Sequence, residues 1–233
     1  MSSRSRSNSL VPAHIAKVAV AFALIAGTAF VGRPARAADS GTWHMVAGTI
    51  SLHEPGDTGA RIWFDGHLRR EPGRFVGIAR PGIGWDFGGG LSAWFGYSYV
   101  PVWKSATGWA AGQDIWQQLM WTGKVAGAPL AVRGRIEERI ASGAEGVSLR
   151  GRLFVRTAFN LRGPLALVLF DEVFVELADV AWSARGLREN RIFVGPALLA
   201  KGWRAELGYM HILRPEAGIE HQHTVLGSVF FSL

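Results

Sequence analysis

The sequence predicts an all-β fold, a closed antiparallel transmembrane β-barrel of about 10–12 strands in meander order. Three observations carry that prediction. Beyond residue 37 the chain divides into apolar-rich segments separated by Gly, Pro and Asp punctuation. Within many of those segments charged and apolar residues alternate. The chain also closes on Val225-x-Gly227-x-Val229-x-Phe231-x-Leu233, an alternating run of apolar positions.

The first element is not part of the barrel. Met1 to Lys17 is basic and rich in serine, Val18 to Gly32 carries no charge, and Arg33-Pro34-Ala35-Arg36-Ala37 follows. A positive leader, an apolar stretch and an Ala-x-Ala site read as a secretory signal peptide over 1–37, cleaved after Ala37. The apolar run is shorter than the ~20 residues of a spanning helix. The barrel domain is then 38–233. Removing 1–37 takes away five basic residues and no acidic one, so the net charge falls from +7 to +2. The high charge belongs mostly to the leader, and no basic run interleaved with aromatics remains, so nucleic acid is not an expected partner. The chain has no cysteine, which excludes disulfides, thiolate catalysis and zinc–thiolate sites.

The expected strands follow in order at 43–52, 60–69, 74–87, 91–103, 114–126, 129–141, 147–162, 165–176, 190–200, 203–213 and 222–233. Their lengths suit a tilted strand crossing a bilayer, which needs about 9–11 residues, better than the 5–6 usual in soluble sheets. Bacterial barrels normally have even strand numbers, so a count of eleven implies that one segment is wrongly split or one is missed. The segment Arg135-Ile136-Glu137-Glu138-Arg139-Ile140 also permits a helical turn, with Ile136 and Ile140 at i,i+4. The clean alternation of its neighbour 149–157 favours a strand.

That alternation places Arg133, Arg135, Glu137 and Arg139 on one face, and Arg150, Arg152 and Arg156 on one face of the next segment. Glu172 and Glu176 lie opposite Leu167, Leu169, Val173 and Val175, with Asp171 interrupting the apolar side. Arg191 and Glu206 extend the polar set, and Arg204 shares the face of Glu206. A lipocalin-like barrel turns such charges outward and a membrane barrel turns them into the lumen, so alternation alone does not choose. The export signal and the aromatics near segment ends (Trp43, Trp63, Trp85, Trp103, Trp109, Trp203, Tyr97 and Tyr99) favour the membrane barrel, where such residues form interfacial girdles. The expected lumen charge ladder is therefore Arg133, Arg135, Glu137, Arg139, Arg150, Arg152, Arg156, Glu172, Glu176, Arg191 and Glu206. The final strand, Val225, Gly227, Val229, Phe231 and Leu233, resembles the C-terminal strand by which outer-membrane proteins are read by the barrel-assembly machinery. Leu233 stands where a terminal aromatic is usual.

An ordered set of short motifs runs through the chain: Gly96-Tyr97, Trp116-Gln117-Gln118, Arg133-x-Arg135-Ile136-Glu137-Glu138-Arg139 and Leu149-Arg150-x-Arg152. Phe170-Asp171-Glu172-x-Phe174, Asn190-Arg191-x-Phe193-x-Gly195, Glu206-x-Gly208-Tyr209 and His223 complete it. In this order, chiefly from residue 61 onward, the set resembles the bacterial family of unknown function DUF2490. The resemblance implies an outer-membrane β-barrel and supplies no activity.

The chemistry-bearing residues point to no reaction. A hydrolase would need Ser, His and a carboxylate together. The candidates are His44, His53, His67, His211, His221 and His223, with Ser92, Ser98 and Ser228. Ser228 and His223 are separated by an odd number of residues and so face opposite sides. His221 and His223 share a face but no third metal ligand is indicated, and no cofactor or metal is expected. The expected function is a small outer-membrane barrel, structural or a passive pore that weakly favours anions, surrounded by outer-membrane lipid. A lipid-modifying outer-membrane enzyme and a soluble periplasmic carrier barrel stay open as alternatives, and the sequence does not indicate an oligomeric state.

Overall fold

A period-2 pattern commits each segment to a strand, and all eleven expected segments are strands. The computed structural model describes residues 40–54, 56–215 and 220–233; the expected signal peptide, 1–37, lies outside the described residues. The strands are β1 (Ser40–Ser51), β2 (Gly59–Glu71), β3 (Arg74–Gly88), β4 (Leu91–Lys104), β5 (Gly108–Val125) and β6 (Ala128–Ala141), followed by β7 (Ser148–Arg162), β8 (Leu165–Glu176), β9 (Gly186–Ala200), β10 (Trp203–Arg214) and β11 (Glu220–Ser232). The contestable stretch 135–140 is strand throughout.

Each strand pairs antiparallel with the next, and β1 pairs with β11 to close the barrel. With an odd number of alternating strands the first and last must run the same way. The β1–β11 pair is accordingly parallel, from Ser40 opposite His223 to Thr49 opposite Ser232. Among the described residues no segment is wrongly split, and the parallel seam answers the odd count. The seam continues past the strands, where Ser51 N–H donates to the Leu233 carbonyl (2.7 Å) and Leu233 N–H to the Thr49 carbonyl (3.0 Å). Outside it, Val229, Phe231 and Leu233 pack with Val46 and Phe64. Gly48 makes that contact possible, since a Cβ there would lie 2.7 Å from the Phe64 ring.

The parallel closure sets the start of β1 and the end of β11 at opposite ends of the barrel. One end carries Leu233, the 52–58 loop and the tight turns 89–90, 126–127, 163–164 and 201–202. The other carries the start of β1, the turns 72–73 and 105–107 and the longer loops 142–147 and 177–185. The first is the C-terminal end of the barrel and the second its loop end.

Burial is inverted relative to a water-soluble protein. Arg135, Glu137, Arg152, Glu172, Glu176 and Glu206 are buried, while Ile83, Phe95, Leu119, Leu153, Ile192 and Leu207 are exposed. Exposed aromatics sit toward both ends of the outer surface, Trp85 at one and Trp103 and Trp109 at the other, with Tyr97 and Tyr99 between. Two of the expected girdle residues do not belong there: Trp43 and Trp63 are buried and face inward. They join Trp94, Trp116 and an apolar cluster of Phe193, Met210, Ile212 and Leu226 inside the barrel.

Candidate functional site

Inward side chains from neighbouring strands stand close enough to pair, and here they pair as ions. Seventeen residues along from Gln118, Arg135 would be remote in an extended chain; across the β5–β6 register it sits opposite Gln118 and donates to its Oε1 from Nε (2.9 Å) and Nη2 (2.6 Å). Its guanidinium also covers the Trp116 ring, 4.4 Å from the centroid. Glu137, on the same strand, accepts from Arg150 Nε (2.7 Å) and Nη2 and from Arg152 Nη1 (2.5 Å), with Arg135 Nη1 3.6 Å away. Glu176 accepts from Arg139 Nη1 (2.7 Å) and from Ser148 Oγ (2.5 Å). Charge-assisted bonds of this kind are the strong ones, and the planar guanidinium suits a shared carboxylate.

Some contacts skip a strand or more, which places them inside the barrel. Arg133 of β6 donates to Glu172 of β8 (2.5 Å), and Arg156 of β7 to Glu206 of β10 (2.5 Å). Arg191 of β9 covers Trp43 of β1 at 4.6 Å. Glu172 is shared by arginines of three other strands: Arg133 and Arg152 hold Oε1 (2.5 and 2.6 Å) and Arg191 stands 3.7 Å from Oε2. Phe174 lies beneath two of these guanidiniums, with Arg191 at 4.0 Å and Arg152 at 4.5 Å.

The eleven residues of the expected charge ladder each make an ion pair, in three sets: one around Glu137 and Glu172, one joining Arg139 to Glu176, and one joining Arg156 to Glu206. The alternation of β2 also supplies members that the sequence reading passed over. Asp65 accepts from Trp63 Nε1 (2.8 Å) and Arg80 Nη1 (2.8 Å) and contacts His67 Nε2 (2.9 Å). Toward the loop end, Arg214 bridges Glu189 (3.0 Å) and Glu71 (3.7 Å), and Arg74 holds Glu71 at 2.5 Å. Arg61, Trp63, Asp65, His67, Arg69 and Glu71 all have one parity in β2, and that spacing was the signal for them.

The network divides the lumen. From the C-terminal end a cavity of about 610 Å³ runs inward past Gly90, Thr122, Pro129, Gly202 and Ser232 to Asp65, Arg80, Arg152, Glu172 and Arg191. Its lining takes in Trp43, Trp63, Trp94, Phe154, Phe170 and Met210, but not Ser98, Asp114, Glu137, Ser148 or Glu176 beyond that layer. Those five are buried. The result is a vestibule with a mouth at the C-terminal end and a floor of ion pairs.

No reaction centre assembles from the candidate nucleophiles. Asp65 and His67 form a pair, but the other ring nitrogen of His67 faces Arg69 Nη2 (3.4 Å). Ser98 Oγ accepts from Arg80 (3.0 Å) and Ser92 Oγ from Trp94 (2.9 Å). Outside the barrel, His211 meets His221 (3.0 Å) and Tyr209 meets His223 (2.6 Å) on exposed faces of β10 and β11. Among the described residues no group of three or more His or carboxylate side chains has the geometry of a metal site.

The residues of the C-terminal motif run along β11 and just past its end: Val225 is exposed on the outer face, and Val229, Phe231 and Leu233 close the outer cluster at β1. A family described as proteins of unknown function, DUF2490, matches residues 40–222, nearly the whole barrel. Comparisons with curated proteins and with solved structures return no match.

Proposed function

We propose that this chain, which belongs to the DUF2490 family of proteins of unknown function, is an exported outer-membrane barrel whose lumen is latched shut by its ion network. The inverted burial carries the reading: charges pair inside and Leu, Ile, Phe and Trp face outward, which is stable only against hydrocarbon. Strands of 12–18 residues are long enough to cross. A leader over 1–37 supports export, and the alternating strand Val225, Gly227, Val229, Phe231 and Leu233 supports handling by the barrel-assembly machinery. Barrels of this class keep short turns on the periplasmic side and longer loops outside. The C-terminal end then faces the periplasm, and the vestibule opens to it.

The role is structural rather than that of a standing pore. An anion-favouring pore has one observation behind it, the arginine excess in the vestibule, but transit requires the Glu137 and Glu172 clusters to part. A soluble carrier would place these charges in water, and a lipid hydrolase would need an activated serine.

Fractionation of the expressed protein, with gel mobility before and after heating in detergent, tests the membrane reading. Recovery in the outer membrane with heat-modifiable migration is expected, and release as a soluble protein sinks it. Reconstitution into planar bilayers tests the latch: silent membranes are expected, and steady conductance would show an open lumen.

A further inference from the structure

The vestibule differs from the rest of the lumen in being both cation-rich and aromatic. Seven arginines line it against four carboxylates. The imbalance arises because acids are shared: Arg133, Arg152 and Arg191 converge on Glu172, and Arg156 and Arg204 both hold Glu206 Oε1 (2.5 and 2.8 Å). Arg152 and Arg191 each reach a second carboxylate behind the floor, Glu137 and Glu189. Arg133, Arg156 and Arg204 have no such second partner among the described ion pairs. The Nε groups of Arg133 and Arg156 are buried and make no hydrogen bond.

Two further donors in the wall are unsatisfied. The Trp43 indole N–H and the Ser228 hydroxyl are each more than nine-tenths buried, line the vestibule and make no hydrogen bond. Buried donors without partners are costly and mark places where something else completes the set. The remaining wall is apolar, with Trp63, Trp94, Phe154, Phe170 and Leu226 around the same space. A volume of about 610 Å³ falls within the range of small-molecule sites, which combine an apolar lining with a few convergent polar groups.

We infer that the vestibule is a binding site for an amphipathic anion, an organic acid whose carboxylate, sulfonate or phosphate rests on Arg133 and Arg156 while its apolar body lies against the tryptophan wall. The inference deepens the latched-lumen reading and rests on it, because a conducting lumen has no floor. Two sources supply this chemistry: a water-soluble aromatic acid, and a fatty acid drawn from the membrane. The site takes either by the same contacts.

The vestibule tryptophans report occupancy directly. Purified full-length protein in nonionic detergent is titrated with 4-bromobenzoate, whose heavy atom quenches indole fluorescence, and in parallel with its uncharged amide and with 9,10-dibromostearate. Saturable quenching by the benzoate, at least tenfold tighter than by the amide, is expected for a soluble acid. Saturable quenching by the stearate alone, reduced in Arg133→Gln protein, assigns the membrane source and equally supports the site; quenching of the outer Trp85, Trp103 and Trp109 from the micelle is unchanged by that substitution and overturns it when it is the whole signal. Arg133→Gln should weaken whichever acid binds by at least tenfold, and it leaves Glu172 held by Arg152 and Arg191. Ala131→Trp, which fills the wall without changing charge, should also abolish binding. Heat-modifiable migration of both variants establishes that they fold. Equal quenching by acid and amide, no saturation with either acid, or full binding in folded Arg133→Gln protein overturns the inference. Conductance is read separately, so a failed binding site and an open lumen give different results.

Discussion

The two halves of the lumen are built from the same strands and treat charge differently. Toward the loop end, carboxylates are buried and bonded on several sides: Glu137 by Arg150 and Arg152, Glu176 by Arg139 and Ser148, Glu189 by Arg191 and Arg214. Toward the C-terminal end, guanidiniums outnumber acids and the wall between them is aromatic. Burying an ion costs several kcal/mol and is offset only by close, complete pairing. In the closed half each carboxylate meets that condition, while donors such as Arg135 Nη1, Arg139 Nε and Trp116 Nε1 are buried there without a hydrogen bond. In the open half the free donors of Trp43, Arg133, Arg156 and Ser228 line a cavity, where water or a solute supplies what the protein does not. Packing and charge balance therefore change together along β6, β7 and β8.

The strongest way to break this comparison is to remove the carboxylate at the heart of the closed half. Glu137→Gln leaves Arg150 and Arg152 without their shared partner at a fully buried position. A loss of about 3–5 kcal/mol in folding stability is expected. Urea titration of the protein folded into lipid vesicles measures it. Glu206→Gln at the mouth should cost less, about 1.5–3 kcal/mol, because Arg204 is partly exposed and water can solvate it. Equal losses would mean that the halves are not energetically distinct.

The next effect sharpens the contrast between the inner and outer faces that both halves share. On β7, Arg152 is buried inside and Leu153, the next residue, is exposed outside. If lipid covers Leu153, Leu153→Arg should cost about 2–4 kcal/mol in vesicles. In a water-soluble barrel the same change would be neutral, so an unchanged urea midpoint refutes membrane embedding.

Much of this was legible in the sequence because a strand repeats every two residues. The charges of β6 and β7 alternate with apolar residues and announce their face, and every strand lies within a few residues of its expected place. The largest shift is at β5, which begins at Gly108 rather than 114: Ala110, Ala111 and Gly112 carry no polarity contrast to read. Arg80 was equally silent, since its inward neighbours on β3 include Ile78 and Gly82 rather than charges. The inward tryptophans misled for a different reason. Trp43 and Trp63 lie near strand ends, where an indole normally marks the interface, and only the register shows that their rings fill the lumen. The vestibule follows from how Glu172 is shared among three strands, and no single strand contains that information.

Tryptophan packing gives a smaller test of the closed half. The Trp116 ring lies over Gly82 of β3, and a Cβ at Gly82 would come within 2.5 Å of it. Gly82→Ala forces the indole from its seat against Arg135, an overpacking cost of about 1–3 kcal/mol. A blue-shifted or broadened tryptophan emission should accompany the lower urea midpoint. No change would mean that the ring yields freely and that the closed half is not tightly packed.

The smallest effect belongs to the rim of the closed half, and it bounds where that half ends. Arg74 pairs with Glu71 at 2.5 Å, but its side chain is 39% exposed. Pairs that water reaches contribute about 0–1 kcal/mol, and Arg214 remains 3.7 Å from Glu71 to hold it. Arg74→Ala should therefore leave the urea midpoint nearly unchanged, in contrast to Glu137→Gln deeper on the same side. A loss as large as that of Glu137→Gln would extend the latch to the loop-end rim, and the charge-matched half would then reach the surface rather than stop short of it.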